Sequence, residues 1–401
     1  MCLEKPELFK YSKRERLSYA QRLDVHWGLF FPLRPQGIQM HLRKQMISER
    51  LQTSLCIKDT HPSSRWVRLW QAIHGNTPFA IMQLVFATIL VTTFPDSSIP
   101  KSERFMNLFV VEVFLVTAES IIFWRHRRKQ AEQIVFDMIA IAEKIEKIST
   151  EEQLSDMRLI AGLSKYLCKI YYCNMFGAII TYATFPFIQG SNLGKLPMLG
   201  DSNRSFWILY STITVCFAVG PLSTISFLAY HLQVCLCLTG LFQTLNKQVE
   251  TCVCSNKLTE LVIAHQEVLR IAYIVRALFY RSCFFQIGGY VSIMIANTCL
   301  FTEERNPGVC FVVCMNISFI YFMCALSESV TLSNSKIGQA AYYSPWITAD
   351  ELFKKKLLFI MLKSTKAMYF KAGWIGKLRI RKFARAMKLW FQLVQALLNL
   401  T

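Results

Sequence analysis

Residues 205–246, SFWILYSTITVCFAVGPLSTISFLAYHLQVCLCLTGLFQTLN, form a run of 42 residues without a single Asp, Glu, Lys or Arg. A continuous helix over this run is about 60 Å long, roughly twice the thickness of the hydrocarbon core of a bilayer. The run therefore predicts a membrane-spanning helix whose second half continues beyond the membrane.

Other charge-poor stretches of similar character occur on both sides of this run. The chain is 53% hydrophobic and 18% charged, which argues against a soluble enzyme or a nucleic-acid-binding protein. A further stretch at 383–401 is weaker, because Arg385 and Lys388 interrupt it. With 205–246 as the fourth, the other predicted spans are 69–95, 105–124, 170–194, 282–302 and 306–327.

The distribution of basic residues predicts the orientation of these spans. The net charge is +19, and Lys and Arg follow the second, fourth and sixth spans, with the densest cluster at 125–129. The connections after the first, third and fifth spans are short and nearly neutral. Because basic loops stay on the cytosolic side, the N-terminus is expected inside and, after seven spans, the C-terminus outside. Residues 1–22 offer no apolar run for a signal peptide.

Helical patterns continue outside the spans. Residues 258–280 read as a helix that runs directly into the fifth span, and 337–368 adds further helix. We predict an all-α membrane protein of seven transmembrane helices, with helices four to seven extended into a cytosolic anchor bundle. The predicted segments are a cytosolic N-terminal region (1–68), transmembrane helices one to six with cytosolic extensions (69–327), a cytosolic anchor segment (328–376) and the last transmembrane helix (377–401).

Patterns of catalysis or metal binding are missing from the sequence. The seven histidines are scattered, without the i, i+4 spacing of a helical metal site. The pairs Cys235/Cys237 and Cys252/Cys254 point their members apart on a helix, so we interpret them as reduced structural cysteines. No phosphate-binding glycine loop or nucleophile motif is present. We therefore expect no enzymatic activity, no catalytic residue, no metal and no cofactor.

Two carboxylates lie within the second span. Glu112 and Glu119 are seven residues apart and so share one face of a helix. Ionisable groups in a span usually face a water-filled cavity or a partner charge. For Glu119, near the cytosolic end, extension of the side chain to the interface is an equal alternative.

Residues 339–346, QAAYYSPW, followed by LLFIM at 357–361 and by Ala372-Gly373, resemble the C-terminal signature of the insect odorant receptors. The length, the inside N-terminus and the long fourth and fifth helices agree with that family. The stretch from Lys377 to Lys388 is more basic than is typical of it. Its basic residues are Lys377, Arg379, Arg381, Lys382, Arg385 and Lys388.

The resemblance implies an odorant-gated, non-selective cation channel in the plasma membrane of an olfactory sensory neuron dendrite. It implies a heterotetramer with a shared co-receptor, joined through the anchor bundle, with the last helices lining one pore. The short segment between Lys247 and Lys257 indicates the ligand-tuning subunit, because the co-receptor carries a much longer insertion there. The expected partners are a small volatile ligand, the co-receptor and membrane lipid, and no nucleic acid.

Candidate residues follow from the resemblance and the helical spacing. In the last helix, Gln392, Ala396 and Asn399 form a polar stripe, and Leu397 is a candidate for the hydrophobic gate. Asn203 begins a glycosylation sequon in the outer loop, whereas the sequon at Asn316 lies within span six. The predicted odorant pocket is lined by Phe109, Val113, Ala178, Tyr182, Tyr210, Ile213, Met315 and Phe319.

Other seven-span or multi-span classes fit less well. A G-protein-coupled receptor needs an outside N-terminus, and its Asp-Arg-Tyr and Asn-Pro-x-x-Tyr signatures are missing. A secondary transporter is expected to show repeated halves, which the sequence lacks. A gustatory-receptor-type channel is the nearest alternative, but its Thr-Tyr and Gln-Phe ending is missing from 391–401. The sequence contains no motif that identifies the odorant.

Overall fold

A computed structural model describes residues 77–92, 101–150, 203–304, 307–365 and 368–400, together with scattered helical positions between 152 and 177. The third predicted span, at 170–194, lies largely outside the described residues. The helices are α1 Thr77–Thr92, α2 Lys101–Ile148, α3 Asn203–Glu250, α4 Ser255–Glu304, α5 Pro307–Tyr343, α6 Glu351–Ser364 and α7 Ile380–Leu400. A small antiparallel hairpin, β1 Lys371–Ala372 and β2 Gly376–Lys377, precedes α7.

The two longest predicted helices are continuous. α3 has 48 residues and contains the whole of 205–246. α4 has 50 residues and joins 258–280 to the fifth span without a break. The continuity predicted for both helices is confirmed.

The second helix is longer than the sequence interpretation allowed. α2 also has 48 residues and continues past the basic cluster at 125–129 to Ile148. The prediction of extensions only for helices four to seven was therefore incomplete. Past the basic cluster, α2 still buries one apolar face against the bundle, formed by Ala131, Ile134, Met138, Ile141 and Ile145. Burial of that face stabilises the extension although its outer face is charged.

Four helices in the described part of the chain are long and apolar enough to cross a membrane: α2, α3, α4 and α5. The protein is a multi-pass membrane protein. Two parts of this bundle differ in composition. The apolar half comprises residues 105–124, 205–226, 282–304 and 307–327, and the charged half comprises 125–148, 227–250, 255–281, 328–343 and α6.

A layer of aromatic rings marks the boundary between the halves. The Phe279 ring of α4 stacks on Phe123 of α2 with centroids 6.0 Å apart and meets Phe227 of α3 edge-on at 5.5 Å. Trp124 and Tyr230 pack beside them with centroids 5.6 Å apart. These contacts fix α2, α3 and α4 at one common height.

The second half of α3 is uncharged because it lies at the centre of the bundle. Every residue from Ser223 to Phe242 is buried, and so are Leu245 and Val249. The helix touches α2, α4 and α5 along this length. Protein therefore replaces lipid as the apolar surroundings of α3 in the charged half.

Candidate functional site

The predicted pocket residues that the structure describes lie on α2 and α5 in the apolar half. Phe109 and Phe319 are buried, with 1% and 2% of their surfaces exposed, Met315 is buried and Val113 is partly buried against the core. Ala178 and Tyr182 lie outside the described residues, as do the side chains of Tyr210 and Ile213, which belong to α3.

The fifth predicted span adds a residue that the sequence interpretation missed. α4 packs against both α2 and α5, and its Tyr290 ring lies 5.5 Å from the Phe319 ring. The predicted pocket residues belong to spans two, three, four and six, so no α4 residue was included. The signal available in the sequence was an aromatic residue inside a charge-free span.

The two carboxylates of α2 face α4. Glu119 Oε1 accepts a hydrogen bond of 3.0 Å from the Ser282 hydroxyl, and Glu112 is hydrogen-bonded to Ser292. Both groups thus have hydroxyl partners on the neighbouring helix, as their common helical face permits, and Glu119 also interacts electrostatically with Arg281 of α4. Their role in the described structure is to join α2 to α4.

A network of uncharged polar groups continues the same contact. Gln286 Nε2 donates to Ser120 Oγ at 2.8 Å and to the Val116 carbonyl at 3.3 Å. Ser120 Oγ also meets Thr224 Oγ1 of α3 at 3.2 Å. Close to this contact on α2, Thr117 donates to Gln83 of α1 at 3.0 Å. These bonds hold four helices together in the apolar half.

Among the described residues, no cluster of His, Cys, Asp or Glu is arranged for a metal ion.

The last helix is packed on one side only. Trp390 Nε1 donates to Thr298 Oγ1 of α4 at 3.2 Å, and the Phe383 ring meets Tyr321 of α5 with centroids 5.5 Å apart. Val394 is buried on the same face. At its start, the main-chain N–H of Ile380 donates to the Glu328 carboxylate at 3.0 Å. A carboxylate at a helix N-terminus is favourable, so α7 begins at Ile380 and not at the predicted 377.

The opposite side of α7 carries a continuous polar stripe. Of the predicted pore residues, Gln392, Ala396 and Asn399 are exposed in the single subunit, and the Leu397 side chain lies outside the described residues. Gln395 was missed, although it has the same spacing. The full stripe, at alternating intervals of four and three residues, is Arg381, Arg385, Lys388, Gln392, Gln395 and Asn399, all of them exposed.

The two sequons occupy different positions. Asn203 is the first residue of α3, whereas Asn316 is buried in the middle of α5. The burial of Asn316 agrees with an inaccessible site, and the accessibility and glycosylation of Asn203 stay predictions.

A third surface, in the charged half, is apolar and exposed. One side of α6 is buried through Phe353, Leu357 and Ile360. The other side, together with the end of α5 and the turn between the two helices, exposes large apolar side chains to the surroundings of the single subunit. We call this the α6 outer face, and it consists of Tyr342, Tyr343, Ile347, Leu352, Leu358, Phe359 and Leu362. Exposed apolar surface of this extent is typical of a site of protein association.

Comparison with known protein families gives one broad match. The model of the family described as 7tm Odorant receptor matches residues 102–391. In Drosophila melanogaster, odorant receptor 69a (isoform A) is 25% identical over 103 residues, which are 26% of this chain and 25% of that protein. Odorant receptor 67a is 36% identical over 53 residues, 13% of each chain. The matched stretches therefore span a quarter or less of these relatives.

Solved structures match over most of the chain. The insect olfactory receptor OR5 from Machilis hrabei, in complex with eugenol, superposes with a TM-score of 0.68 at 11% identity. The match covers 86% of this chain and 93% of that one. A second structure of the same receptor gives the same TM-score at 13% identity. This chain has the fold of that receptor.

Proposed function

Because this chain belongs to the insect odorant receptor family, we propose that it is a subunit of an odorant-gated, non-selective cation channel. It is a receptor and not an enzyme. The observation that carries the proposal of a channel is the division of α7 into a packed face and an exposed polar stripe.

Such a stripe is unfavourable against lipid. Charged side chains within a bilayer cost several kcal/mol unless they meet water or a partner charge. α7 lies along the apolar half, beside Thr298 and Tyr321, and its stripe faces away from its own subunit. When several copies surround a common axis, the stripes face each other across a water-filled pore. Gln392, Gln395, Ala396 and Asn399 then line its outer part, and Arg381 and Arg385 lie in the inner vestibule.

The topology follows from the two halves. We place the apolar half in the plasma membrane and the charged half in the cytosol, with seven transmembrane helices, the N-terminus inside and the C-terminus outside. The aromatic layer around Phe279 lies at the inner boundary, where aromatic side chains are favoured. Basic residues 125–129 then lie on the cytosolic side of that layer.

The α6 outer face supports assembly with other subunits. It presents Leu358, Phe359 and Leu362 in the cytosolic half, where water makes an uncovered apolar surface unfavourable. We propose that it packs against neighbouring subunits, including the co-receptor, in a heterotetramer. Only residues 251–254 separate α3 from α4, which supports the role of ligand-tuning subunit.

The ligand is proposed to lie in the outer part of the apolar half. Phe109, Val113, Met315 and Phe319 provide apolar and aromatic surface there, and Tyr290 adds a further ring. A small volatile molecule in such surroundings is held by shape and dispersion with few hydrogen bonds. If Tyr182→Ala, Tyr210→Ala and Met315→Ala all leave odorant potency and rank order unchanged at normal expression, this location is wrong.

Cysteine substitution on α7 tests the channel. Gln392→Cys, Ala396→Cys and Asn399→Cys are expressed with a co-receptor, and a charged thiol reagent is applied during odour stimulation. The reagent is expected to change the current at all three positions. Val394→Cys is the matched control, because Val394 is buried on the packed face and is expected not to react. Equal modification of Val394, or no modification on the stripe, contradicts a pore lined by α7.

A further inference from the structure

The segment that leads into α7 is strongly and exclusively basic. After Glu351 the chain contains twelve Lys and Arg and no Asp or Glu. The pore proposal accounts for the basic residues on the stripe of α7. It does not account for those of the hairpin just before the helix.

Two glycines fix the hairpin against α4. Gly373 and Gly376 have φ values of +40° and +82°, which residues with a Cβ atom rarely adopt. A Cβ on Gly373 would lie 2.8 Å from Cγ of Phe284, so the backbone approaches α4 closely. The Leu378 N–H donates to the Phe370 carbonyl at 2.9 Å and closes the hairpin. Side chains on this hairpin therefore have defined positions.

Three cations converge on the hairpin. Lys377 Nζ lies 4.0 Å from the centroid of the Tyr369 ring, and Arg379 Cζ lies 4.4 Å from the same centroid. Lys382 Nζ lies 3.9 Å from the point that a Cβ on Gly376 would occupy. None of the ion pairs recorded in the described ranges involves these cations. The Glu328 carboxylate, which accepts from the Ile380 N–H, brings one negative charge to the start of α7 beside three positive ones. A bound anion would offset the remaining positive charge.

The hairpin also carries a fully exposed tryptophan. Trp374 is 94% exposed, and its ring lies 6.1 Å from the Phe284 ring. Phe284 is less than one turn from Arg281, which marks the boundary between the charged and apolar halves on α4. Tryptophan is favoured at the height of lipid head groups, where its ring is apolar and its N–H stays hydrated.

We propose that Tyr369, Trp374, Lys377, Arg379 and Lys382 form a binding site for the head group of an anionic phospholipid in the inner leaflet. The three cations contact the phosphate and the head-group carboxylate, and Trp374 lies among the upper acyl chains. The placement at the inner leaflet rests on the proposed topology. The charge complementarity rests on the hairpin itself.

Native mass spectrometry of the purified full-length receptor tests the site, with phosphatidylserine and phosphatidylcholine of matched chains as probes. The triple variant Lys377→Gln/Arg379→Gln/Lys382→Gln is expected to lower phosphatidylserine binding by at least about tenfold and to leave phosphatidylcholine binding unchanged. The control variant Lys336→Gln/Lys355→Gln/Lys363→Gln removes the same charge from positions elsewhere and is expected to stay within about twofold of the wild type. This binding measurement does not depend on an ion current. A negative result for lipid binding is therefore distinguishable from a negative result for the channel proposal.

Equal losses in the two triple variants, or no loss in either, overturn the site. Complete displacement of the lipid by inorganic phosphate would assign the site to a free anion and also overturn it. A photoreactive benzophenone amino acid in place of Trp374 gives a second measurement in cell membranes, which applies even if the triple variant does not fold. Cross-linking to phospholipid supports the proposal, whereas cross-linking to another subunit contradicts it.

Discussion

The helix pair α2–α4 is joined in two different ways along its length. In the apolar half, Gln286 donates to Ser120, Ser282 donates to Glu119, and Gly289 lies against Val116. In the charged half, the same helices are joined by ion pairs, Arg270 with Asp137 at 3.1 Å and Lys144 with Glu267 at 2.9 Å.

In the proposed topology the apolar half lies in the membrane and the charged half in water, and this difference in medium explains the two kinds of contact. An ion pair loses much of its attraction to the cost of desolvation when it is placed in an apolar medium. A hydrogen bond between uncharged groups contributes about 1 kcal/mol, and one to a carboxylate about 1.5–3 kcal/mol. Such bonds also satisfy buried polar groups to which lipid offers no hydrogen-bond partner. In water, exposed ion pairs contribute between about 0 and 1 kcal/mol. The strength of the α2–α4 contact is therefore expected to lie in the apolar half.

Close backbone approach is expected to give the largest effect. A Cβ on Gly289 would lie 2.1 Å from Cγ2 of Val116, a β-branched side chain with little freedom to move. Gly289→Ala is expected to destabilise the fold by about 1–3 kcal/mol. Thermal unfolding of the purified receptor, followed by a dye that reacts with newly exposed cysteines, measures the change.

The adjacent Gly288 is the control, because a Cβ there meets nothing within 4 Å. Gly288→Ala is expected to be neutral or to stabilise helix α4 by up to about 1 kcal/mol. Equal effects of the two substitutions would show that the close approach does not matter.

In contrast to the exposed ion pairs, the described part of the charged half contains two buried histidines, His231 of α3 and His265 of α4, and the prediction concerns His265. Burial lowers the pKa of His265 from 6.5 to about 4, and its hydrogen-bond partner is the uncharged Asn334. As the pH falls, His265 takes up a proton in the unfolded chain before it does so in the folded one. The contribution of the neutral His265 to stability is therefore complete above about pH 6.5 and is lost as the pH falls towards 4. We expect a loss of the order of 2 kcal/mol at pH 5.

Unfolding temperatures between pH 7.5 and 5 measure this loss. In His265→Gln the part of the pH dependence due to this group is expected to disappear, whereas His126→Gln, at an exposed position of α2, keeps it. An unchanged pH profile in His265→Gln would assign the effect to another group.

Removal of one hydrogen-bonding hydroxyl is expected to have a smaller effect. Ser120→Ala leaves the buried Gln286 amide with the longer bond to the Val116 carbonyl and is expected to cost about 1–2 kcal/mol. Ser318→Ala is the control, since the exposed Ser318 hydroxyl donates to the Cys314 carbonyl of its own helix. Its cost is expected to be below about 0.5 kcal/mol. If adding Gln286→Met to Ser120→Ala recovers nothing, the loss arises from packing and not from the unpaired amide.

The exposed ion pairs are expected to contribute least. Arg270→Gln removes the ion pair with Asp137. Because the Arg270 side chain is 59% exposed, the substitution is expected to lower the free energy of unfolding by at most about 1 kcal/mol. Salt near 1 M is expected to abolish the difference from the wild type. A double-mutant cycle with Asp137→Asn isolates the pair. A coupling that is larger than that of Ser120 with Gln286, or independent of salt, would reverse the comparison between the halves.

The sequence predicted helix continuity well where composition alone decides it. The charge-free run at 205–246 is longer than one membrane span needs, and this length predicted that α3 continues beyond the membrane. The extension of α2 was missed because the basic residues at 125–129 were taken as the end of a span. The buried positions Ile134, Met138, Ile141 and Ile145 nevertheless recur at helical spacing, so the information was present in the sequence.

Contacts between helices were far less predictable. The stripe of α7 could be predicted from spacing within one helix, and Gln392 and Asn399 are exposed as expected. The partners of Glu112 and Glu119 depend on which residues of α4 lie at the same height, more than 160 positions further along the chain. Periodicity within either helix contains no information about that register. For the same reason the contact of Tyr290 with Phe319 was not predicted.

The short connection at 251–254 has a consequence for the order in which the fold forms. Near this connection, α3 and α4 pack against each other after a short loop. The Phe242 ring of α3, for example, contacts the His265 ring of α4. The α2–α4 bonds close much longer loops, with separations of 123, 133 and 166 residues. Because the entropy lost on closing a loop grows with its length, contacts between α3 and α4 are expected to form early and the docking of α2 late. A weakened α2–α4 contact would then leave newly made protein with α2 undocked and exposed to degradation.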